Sequence, residues 1–286
     1  MSSSREITTR AKTGAGTLYV VSTPIGNLND MTYRAVEVLS SAALIVAEDT
    51  RHSRRLLDHF RIATPVSSYH EHNEAKETPR LIARLRAGDS IALISDAGTP
   101  LISDPGSRLV RAALDAGIAV VPVPGASSVM AALVASGMSL ERFAFFGFLP
   151  RKGAERRDAI NDVVSSRATS VLFEAANRVG ATLGELVKSG AGERDAVVAR
   201  ELTKQFEEFK RGTIADLEKI YSDTEPRGEV VLVIAAAVER AVTEEELNSA
   251  ARELRASGKE PREVMQHLVA SLGASRNVAY RIAHST

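Results

Sequence analysis

The sequence predicts an α/β fold: two α/β domains followed by a short helical extension. Three observations carry this. Short branched apolar runs such as Leu44–Ala47 and Ile91–Ile94 alternate with helix-periodic segments through the first half of the chain. Beyond Pro150 two strand patterns follow one another with only a short link. From Ala241 onward only helix patterns remain. Alternating strands and helices imply βαβ units, hence a parallel sheet covered on both faces. Consecutive strands with a short link imply antiparallel neighbours, so the second sheet is expected to be mixed. The expected boundaries are a disordered polar tail at 1–16, an N-terminal domain at 17–140, a C-terminal domain at 141–240 and the helical extension at 241–286.

In the first domain a strand is expected at 17–23, stopped by Pro24-Ile25-Gly26-Asn27, with Met31, Ala35, Val38 and Leu39 on the next helix. Leu44–Ala47 ends on Glu48-Asp49-Thr50-Arg51-His52 and feeds a helix with Leu56, Leu57 and Phe60 on one face. Residues 65–69 form a short strand leading into His70-Glu71-His72-Asn73-Glu74, and a helix at 78–87 is closed by Gly88. Ile91–Ile94 is stopped by Asp96, Gly98 and Pro100. Asp104 is expected to cap the following helix, with Pro105 at the first helical position, where its missing N–H costs nothing. Gly117 closes that helix. Ala119–Val123 then ends on Pro124-Gly125-Ala126-Ser127-Ser128, and an Ala-rich helix runs to Gly137.

Residues 143–150 carry four of the eight phenylalanines and precede Arg151-Lys152-Gly153 and a charged helix. A strand at 170–175, a helix at 179–189 ended by Gly190, strands at 196–202 and 206–211, and a very apolar strand at 230–237 opened by Gly228-Glu229 complete the second domain. In the extension, Thr243 and Glu246 make a capping box, Gly258 ends the first helix, Pro261 opens the second and Ser275 caps the third. Three such helices resemble a helix-turn-helix module in outline, and fit a packing appendage or dimer contact equally well.

Composition excludes several function classes. The chain has 36 basic and 36 acidic residues, so no global field draws it to a polyanion; a local basic patch must do that. There is no cysteine, which excludes disulfides, thiolate metal sites and a cysteine nucleophile. The longest apolar run is far short of the ~20 residues of a membrane span. Residues 1–16 lack the apolar core of a signal peptide, so the expected compartment is the cytoplasm, with no membrane partner.

No G-x-x-x-x-G-K-[ST], G-x-G-x-x-G or G-x-S-x-G occurs. Four strand-end loops remain, at 22–27, 48–52, 95–103 and 124–128, and loops on one edge of a parallel sheet make a pocket. The 95–103 loop carries no Lys or Arg, which suits a neutral or zwitterionic ligand better than a triphosphate. One of Glu48 and Asp49 is expected to point into the pocket mouth, unless both pair with Arg51 or Arg54. His70 and His72 share a face only in a strand and have no third ligand at standard spacing, so no metal is expected. Arg151-Lys152, Arg156-Arg157, Lys204 and Lys210-Arg211, with Arg51, Arg54 and Arg55, are expected to flank one cleft and hold phosphates.

Several long motifs now bear on identity: 23–28 (Thr-Pro-Ile-Gly-Asn-Leu), 47–52 (Ala-Glu-Asp-Thr-Arg-His), 70–74 (His-Glu-His-Asn-Glu), 95–106 (Ser-Asp-Ala-Gly-Thr-Pro-Leu-Ile-Ser-Asp-Pro-Gly), 147–150 (Gly-Phe-Leu-Pro), 199–204 (Ala-Arg-Glu-Leu-Thr-Lys) and 227–229 (Arg-Gly-Glu). Together they closely resemble the ribosomal RNA small subunit methyltransferase I family, part of the tetrapyrrole methylase superfamily of S-adenosylmethionine-dependent enzymes. The resemblance covers residues 18–236. It departs at 173–178, where Asn177 stands in place of the family's usual histidine before Arg178.

The resemblance implies two α/β domains of tetrapyrrole methylase type, with S-adenosylmethionine folded into the cleft between them, in a homodimer. It implies 2′-O-methylation of a cytidine ribose in the decoding region of 16S rRNA, in the small ribosomal subunit. From the first domain it assigns Pro24, Gly26, Asp96, Gly98 and Thr99 to the cofactor, and also Pro100, Ile102, Ser103, Ser127 and Ser128. From the second it assigns Phe173, Glu174, Leu202 and Gly228. Arg51, Arg54, Arg151, Lys152 and Lys204 are expected to meet RNA. A ribose hydroxyl is a poor nucleophile and benefits from a base. Asp49, Glu71 and His70 are the candidates in that order, although positioning alone can supply much of the rate. Two other readings stay open: the same fold acting on a tetrapyrrole or a protein side chain, and a non-enzymatic ribosome-associated protein.

Overall fold

The computed structural model describes residues 14–224, 226–237 and 243–285; most of the expected N-terminal tail lies outside them. The described residues form two compact units, one ending at Ala237 and one comprising residues 243–285.

The first unit holds two five-stranded sheets. The N-terminal sheet uses β1 (Thr17–Val21), β2 (Leu44–Ala47), β3 (Val66–Ser68), β4 (Ile91–Ile94) and β5 (Ala119–Val123) in the order β3-β2-β4-β1-β5, all parallel. β2 and β4 are buried at every position, as a strand covered on both faces must be. Each large apolar side chain so removed from water contributes about 1.5–3 kcal/mol. The connecting helices are α1 (Tyr33–Ser41), α2 (Thr50–His59), α3 (Glu74–Arg86), α4 (Ser107–Asp115) and α5 (Ser128–Ser136). Caps from the strand-end loops start three of them: Thr32 for α1, Asp49 for α2 and Ser127 for α5.

The second sheet is mixed, as expected. Its order is β6-β7-β10-β8-β9, from β6 (Phe143–Phe148), β7 (Thr169–Ala175), β8 (Asp195–Arg200), β9 (Glu208–Thr213) and β10 (Glu229–Ile234). Only β6 and β7 are parallel; β10 runs antiparallel to both β7 and β8, and β8 to β9. Helices α6 (Gly153–Ser165), α7 (Val179–Leu186) and α8 (Ile214–Tyr221) complete this lobe.

The second unit contains α9 (Glu244–Ala256), α10 (Pro261–Leu272) and α11 (Arg276–Ser285) around Leu247, Ala251, Val264, Leu268, Ala279 and Ile282. The Thr243–Glu246 capping box forms, and Ser275 Oγ accepts from Val278 N.

Two helix starts differ from the sequence expectation. Asp104 does not cap α4; the helix begins at Ser107 after Gly106, whose φ is +131°. A Cβ at Gly106 would lie 2.8 Å from Leu93 Cδ2, so the chain needs glycine there to turn against the sheet, and Asp104 is left beside the pocket. Helix α3 begins at Glu74 rather than residue 78 and carries Pro79 within it. The Asn73 side chain organises the preceding turn, accepting from His70 N at 2.9 Å and donating to Ser68 O at 3.1 Å.

Candidate active site

The strand order decides which loops meet. β1 lies between β4 and β5, so the loops after these three strands converge, while those after β2 and β3 fall to one side. The β1 and β4 loops are tied by a bridge in which Thr23 N donates to Gly98 O (2.8 Å) and Gly98 N to Thr23 O (3.1 Å). Thr99 Oγ1 reaches the β5 loop at Ala126 O (3.1 Å). Across from them, the carboxyl ends of β6, β7 and β8 and the amino end of antiparallel β10 supply the opposing wall.

Between the lobes lies a cavity of about 340 Å³. From the first lobe it is lined by Ile25, residues 97–99, Ile102, Ser103, Asp104 and residues 127–129. From the second come Phe148, Phe173, Glu174, Ala175, Leu202 and residues 228–231. No Lys or Arg is among them, whereas Asp104, Glu174 and Glu229 are.

The rims are strained. Leu101 and Ser103 on one side, and Glu201 and Thr203 on the other, are non-glycine residues at positive φ (73°, 67°, 51° and 66°). Such residues persist only where surrounding structure holds them, and they concentrate at ligand sites. Thr203 Oγ1 is buried without a hydrogen-bond partner.

Glu174 is fully buried and satisfied. Its carboxylate accepts from Thr182 Oγ1 (2.5 Å) and Ala175 N (2.9 Å) and pairs with Arg178 Nε (3.3 Å). Arg178 also donates to Leu149 O, and buried Arg156 donates to Pro150 O (3.0 Å) and Thr182 Oγ1 (2.9 Å). The segment after β6 is thus clamped to β7 by guanidinium groups, and Arg156 belongs to the fold rather than to a phosphate-binding face.

The expected cofactor residues divide. Gly98, Thr99, Ile102, Ser103, Ser127, Ser128, Phe173, Glu174, Leu202 and Gly228 meet at the cleft. Pro24, Gly26 and Asp96 line a second cavity beside it, and Pro100 lines neither. Ile25, Asp104, Phe148, Glu229, Val230 and Val231 line the cleft without having been singled out. The β10 residues had a signal in Gly228-Glu229, which opens an apolar strand, but only its antiparallel direction brings that end to the cleft.

The three proposed bases lie away from the cleft lining. Asp49 caps α2 and pairs with Arg51 (3.1 Å), and these contacts hold its carboxyl down at about 2. Glu71 is exposed. His70 has a buried Nδ1 with no partner, and its ring meets the His72 ring edge-on at 6.0 Å. Glu48 lies among Asp104, Asp96 and His70; burial first, then the two aspartates, pushes its pKa up. Burial also raises Asp104, with the Ser95 hydroxyl pulling the other way.

Of the expected RNA contacts, Arg51, Arg54, Arg151 and Lys152 are exposed. Lys204 is engaged instead: its Nζ lies 2.9 Å from both Glu201 Oε1 and Glu229 Oε2. Asn177, at the family's histidine position, is exposed and outside the cleft lining. Among the described residues no group of side chains has metal-binding geometry, and no helix is long and apolar enough to cross a membrane.

Two α/β lobes with a glycine-lined cleft define the class. A family profile described as Tetrapyrrole (Corrin/Porphyrin) Methylases matches residues 17–218. The fold is shared with a uroporphyrin-III C-methyltransferase from Thermus thermophilus solved with S-adenosylhomocysteine, at TM-score 0.54 and 18% identity over 77% of this chain and 97% of that one. The ribosomal RNA small subunit methyltransferase I of a Synechocystis species is 45% identical over 94% of this chain and 97% of its own length. That of Pseudomonas aeruginosa is 51% identical over 77% of this chain and 79% of its own. The chain belongs to the ribosomal RNA small subunit methyltransferase I family.

Proposed function

We propose that this protein uses S-adenosylmethionine to methylate the 2′-hydroxyl of a cytidine in the decoding region of 16S rRNA, acting on the small ribosomal subunit as a homodimer. The observation that carries the reading is the cleft, built from both lobes, in a chain of this family. The residues present fit the cofactor. Gly98 (φ +79°) and Gly228 (φ +86°) both line the cavity; a Cβ at Gly98 would sit 3.1 Å from Ile25 Cγ2, and one at Gly228 would run into the Glu201 carboxylate. Bare backbone therefore forms these walls. Ile102, Phe148, Phe173, Leu202 and Val231 offer apolar surface to an adenosine. The start of α5, capped by Ser127, offers backbone N–H groups to a carboxylate. When bound, S-adenosylmethionine supplies a methyl group on a positively charged sulfur.

The chain's own part is positioning, charge and one proton. With the cofactor bound, carbonyls of the β4 loop would be available for weak C–H···O contacts to the carbons beside the sulfonium. Asp104 and Glu229, with no lysine or arginine in the lining, favour a cation over an anion in the cavity. Holding both reactants aligned supplies most of the rate for an in-line displacement. Glu48 also lies outside the cleft lining, but it neighbours Asp104, which lines it, and its raised pKa makes it a better proton acceptor at neutral pH than Asp49, whose pKa is about 2. Exposed Arg51, Arg54, Arg151 and Lys152 meet phosphates.

The test is transfer of label from radioactive S-adenosylmethionine to small subunits that lack the modification. Label in 16S rRNA at an alkali-resistant cytidine is the expected result, and unlabelled subunits would overturn the reading. Native mass measurement of the same preparation checks the homodimer.

A further inference from the structure

The second cavity, of about 260 Å³, shares a wall with the cleft. The wall is thin, because neighbouring residues of two loops face opposite ways. Pro24 and Gly26 line the second cavity while Ile25 lines the cleft; Asp96 lines the second cavity while Ala97 and Gly98 line the cleft. Helix α2 closes the far side with His52, Ser53 and Arg55.

Ser53 is the telling residue. It is 2% exposed, it lines this cavity, and its Oγ has no hydrogen-bond partner. Buried hydroxyls are nearly always paired, so an orphan beside a cavity asks for a partner that the folded chain does not supply. Asp96, opposite on the β4 loop, uses Oδ1 to accept from Asp49 N (3.1 Å), and a carboxylate can accept further bonds. His52 and Arg55 are exposed on α2, and Arg55 has no acidic partner among the described residues.

We infer that this cavity receives the base of the nucleotide being methylated, a pyrimidine with an exocyclic amine, swung out of its stack. The inference rests on the rRNA ribose methylation proposed above. Sequence-specific recognition of single-stranded RNA splays bases out of the stack and reads their edges with hydrogen bonds. A cytosine edge offers an amino donor beside ring and carbonyl acceptors. Asp96 accepts from the amine, as acidic side chains do from cytosine, and Ser53 Oγ–H donates to the acceptor, which ends its isolation. A uracil would turn its O4 acceptor toward the Asp96 carboxylate and leave both oxygens unpaired. The His52 ring supplies a face for stacking and Arg55 meets the adjoining phosphate. The thin wall keeps the base on one side and lets its ribose reach the cleft rim.

The test measures label transfer from S-adenosylmethionine to reconstituted small subunits carrying cytidine or uridine at the modified position, with cofactor affinity taken by calorimetry on the same proteins. Ser53→Val removes the hydroxyl donor and is expected to lower kcat/KM for the cytidine subunit at least about tenfold, with cofactor Kd within twofold of the parent. Asp96→Asn places an amide donor opposite uracil O4 and is expected to cut the preference for cytidine over uridine by about tenfold or more. Arg55→Ala, an exposed change, is expected to raise KM alone, which keeps the test alive if Ser53→Val does not fold. Unchanged base preference in Asp96→Asn, or a Ser53→Val protein with parental kcat/KM, overturns the inference. If the parent protein binds cofactor yet labels neither subunit, the rRNA reading itself has failed.

Discussion

The side chain of Lys204 lies across Gly26. A methyl group placed on Gly26 would overlap Lys204 Cγ and lie 2.9 Å from its Cε, while the ammonium is fixed between Glu201 and Glu229. One lysine of the second lobe therefore rests on the β1 loop of the first and neutralises two carboxylates beside the cleft. Lys204→Met keeps the stem and removes the charge. It is expected to cost about 1 kcal/mol, as a partly exposed pair does, and to lower Tm by about 2–4 °C in a thermal melt. Gly26→Ala is expected to lower Tm as well, because Lys204 must move aside.

Gly98 combines a positive φ with contact to Ile25 and a backbone bridge to Thr23. A β-branched side chain there strains the turn and fills the cavity wall. Gly98→Val is expected to abolish cofactor binding in calorimetry while the far-ultraviolet dichroism stays near the parent's. Parental affinity would show that the cofactor lies elsewhere.

Glu48 and Asp104 both have raised pKa values, caused first by burial. Each folded carboxyl holds its proton more tightly than the unfolded one. The stability linked to that proton is present below the unfolded pKa, near 4, and is lost as pH rises past the folded value. Glu48→Gln is therefore expected to raise Tm at pH 7, with the gain disappearing toward pH 4. If Glu48 accepts the hydroxyl proton, the same change lowers kcat about 100-fold, so stability and turnover should move in opposite directions.

Glu174 is a buried carboxylate held by Thr182 and Arg178. Glu174→Ala leaves Arg178 without its acidic partner and is expected to destabilise the protein by about 3 kcal/mol. Thr182→Val, which removes one bond to the carboxylate and one from Arg156, is expected to cost about 1–3 kcal/mol. Chemical denaturation of both variants checks the order.

The elements were legible where a residue's local chemistry decides its fate. Leu44–Ala47, Ile91–Ile94 and Ala119–Val123 are strands at the residues expected, because continuous apolar runs bounded by turn residues have few alternatives. The Thr243–Glu246 capping box is a local device and forms as read. Asp104 misled because a good cap followed by proline is a local signal, and the packing of Gly106 against Leu93 overrode it. At the site, glycine and hydroxyl residues of the strand-end loops stood out, but strand order did not. That order sends the loops after β2 and β3, with Asp49, His70 and Glu71, away from the cleft lining. It also puts Pro24 and Ile25, adjacent in sequence, in different cavities. Burial likewise separates Glu48 from Asp49, two neighbouring carboxylates with opposite shifts.

The position of β1 also matters while the protein is being made. Thr17–Val21 pairs only with β4 and β5, so the first strand to be synthesised has no partner until Ile91–Ile94 exists, and its second neighbour comes only with Ala119–Val123. At translation speeds of about 5–20 residues per second, the wait for β4 lasts roughly 4–15 s. Until β4 is made both edges of this apolar strand stay unpaired, so the centre of the N-terminal sheet waits on contacts distant in sequence and cannot form as a local hairpin.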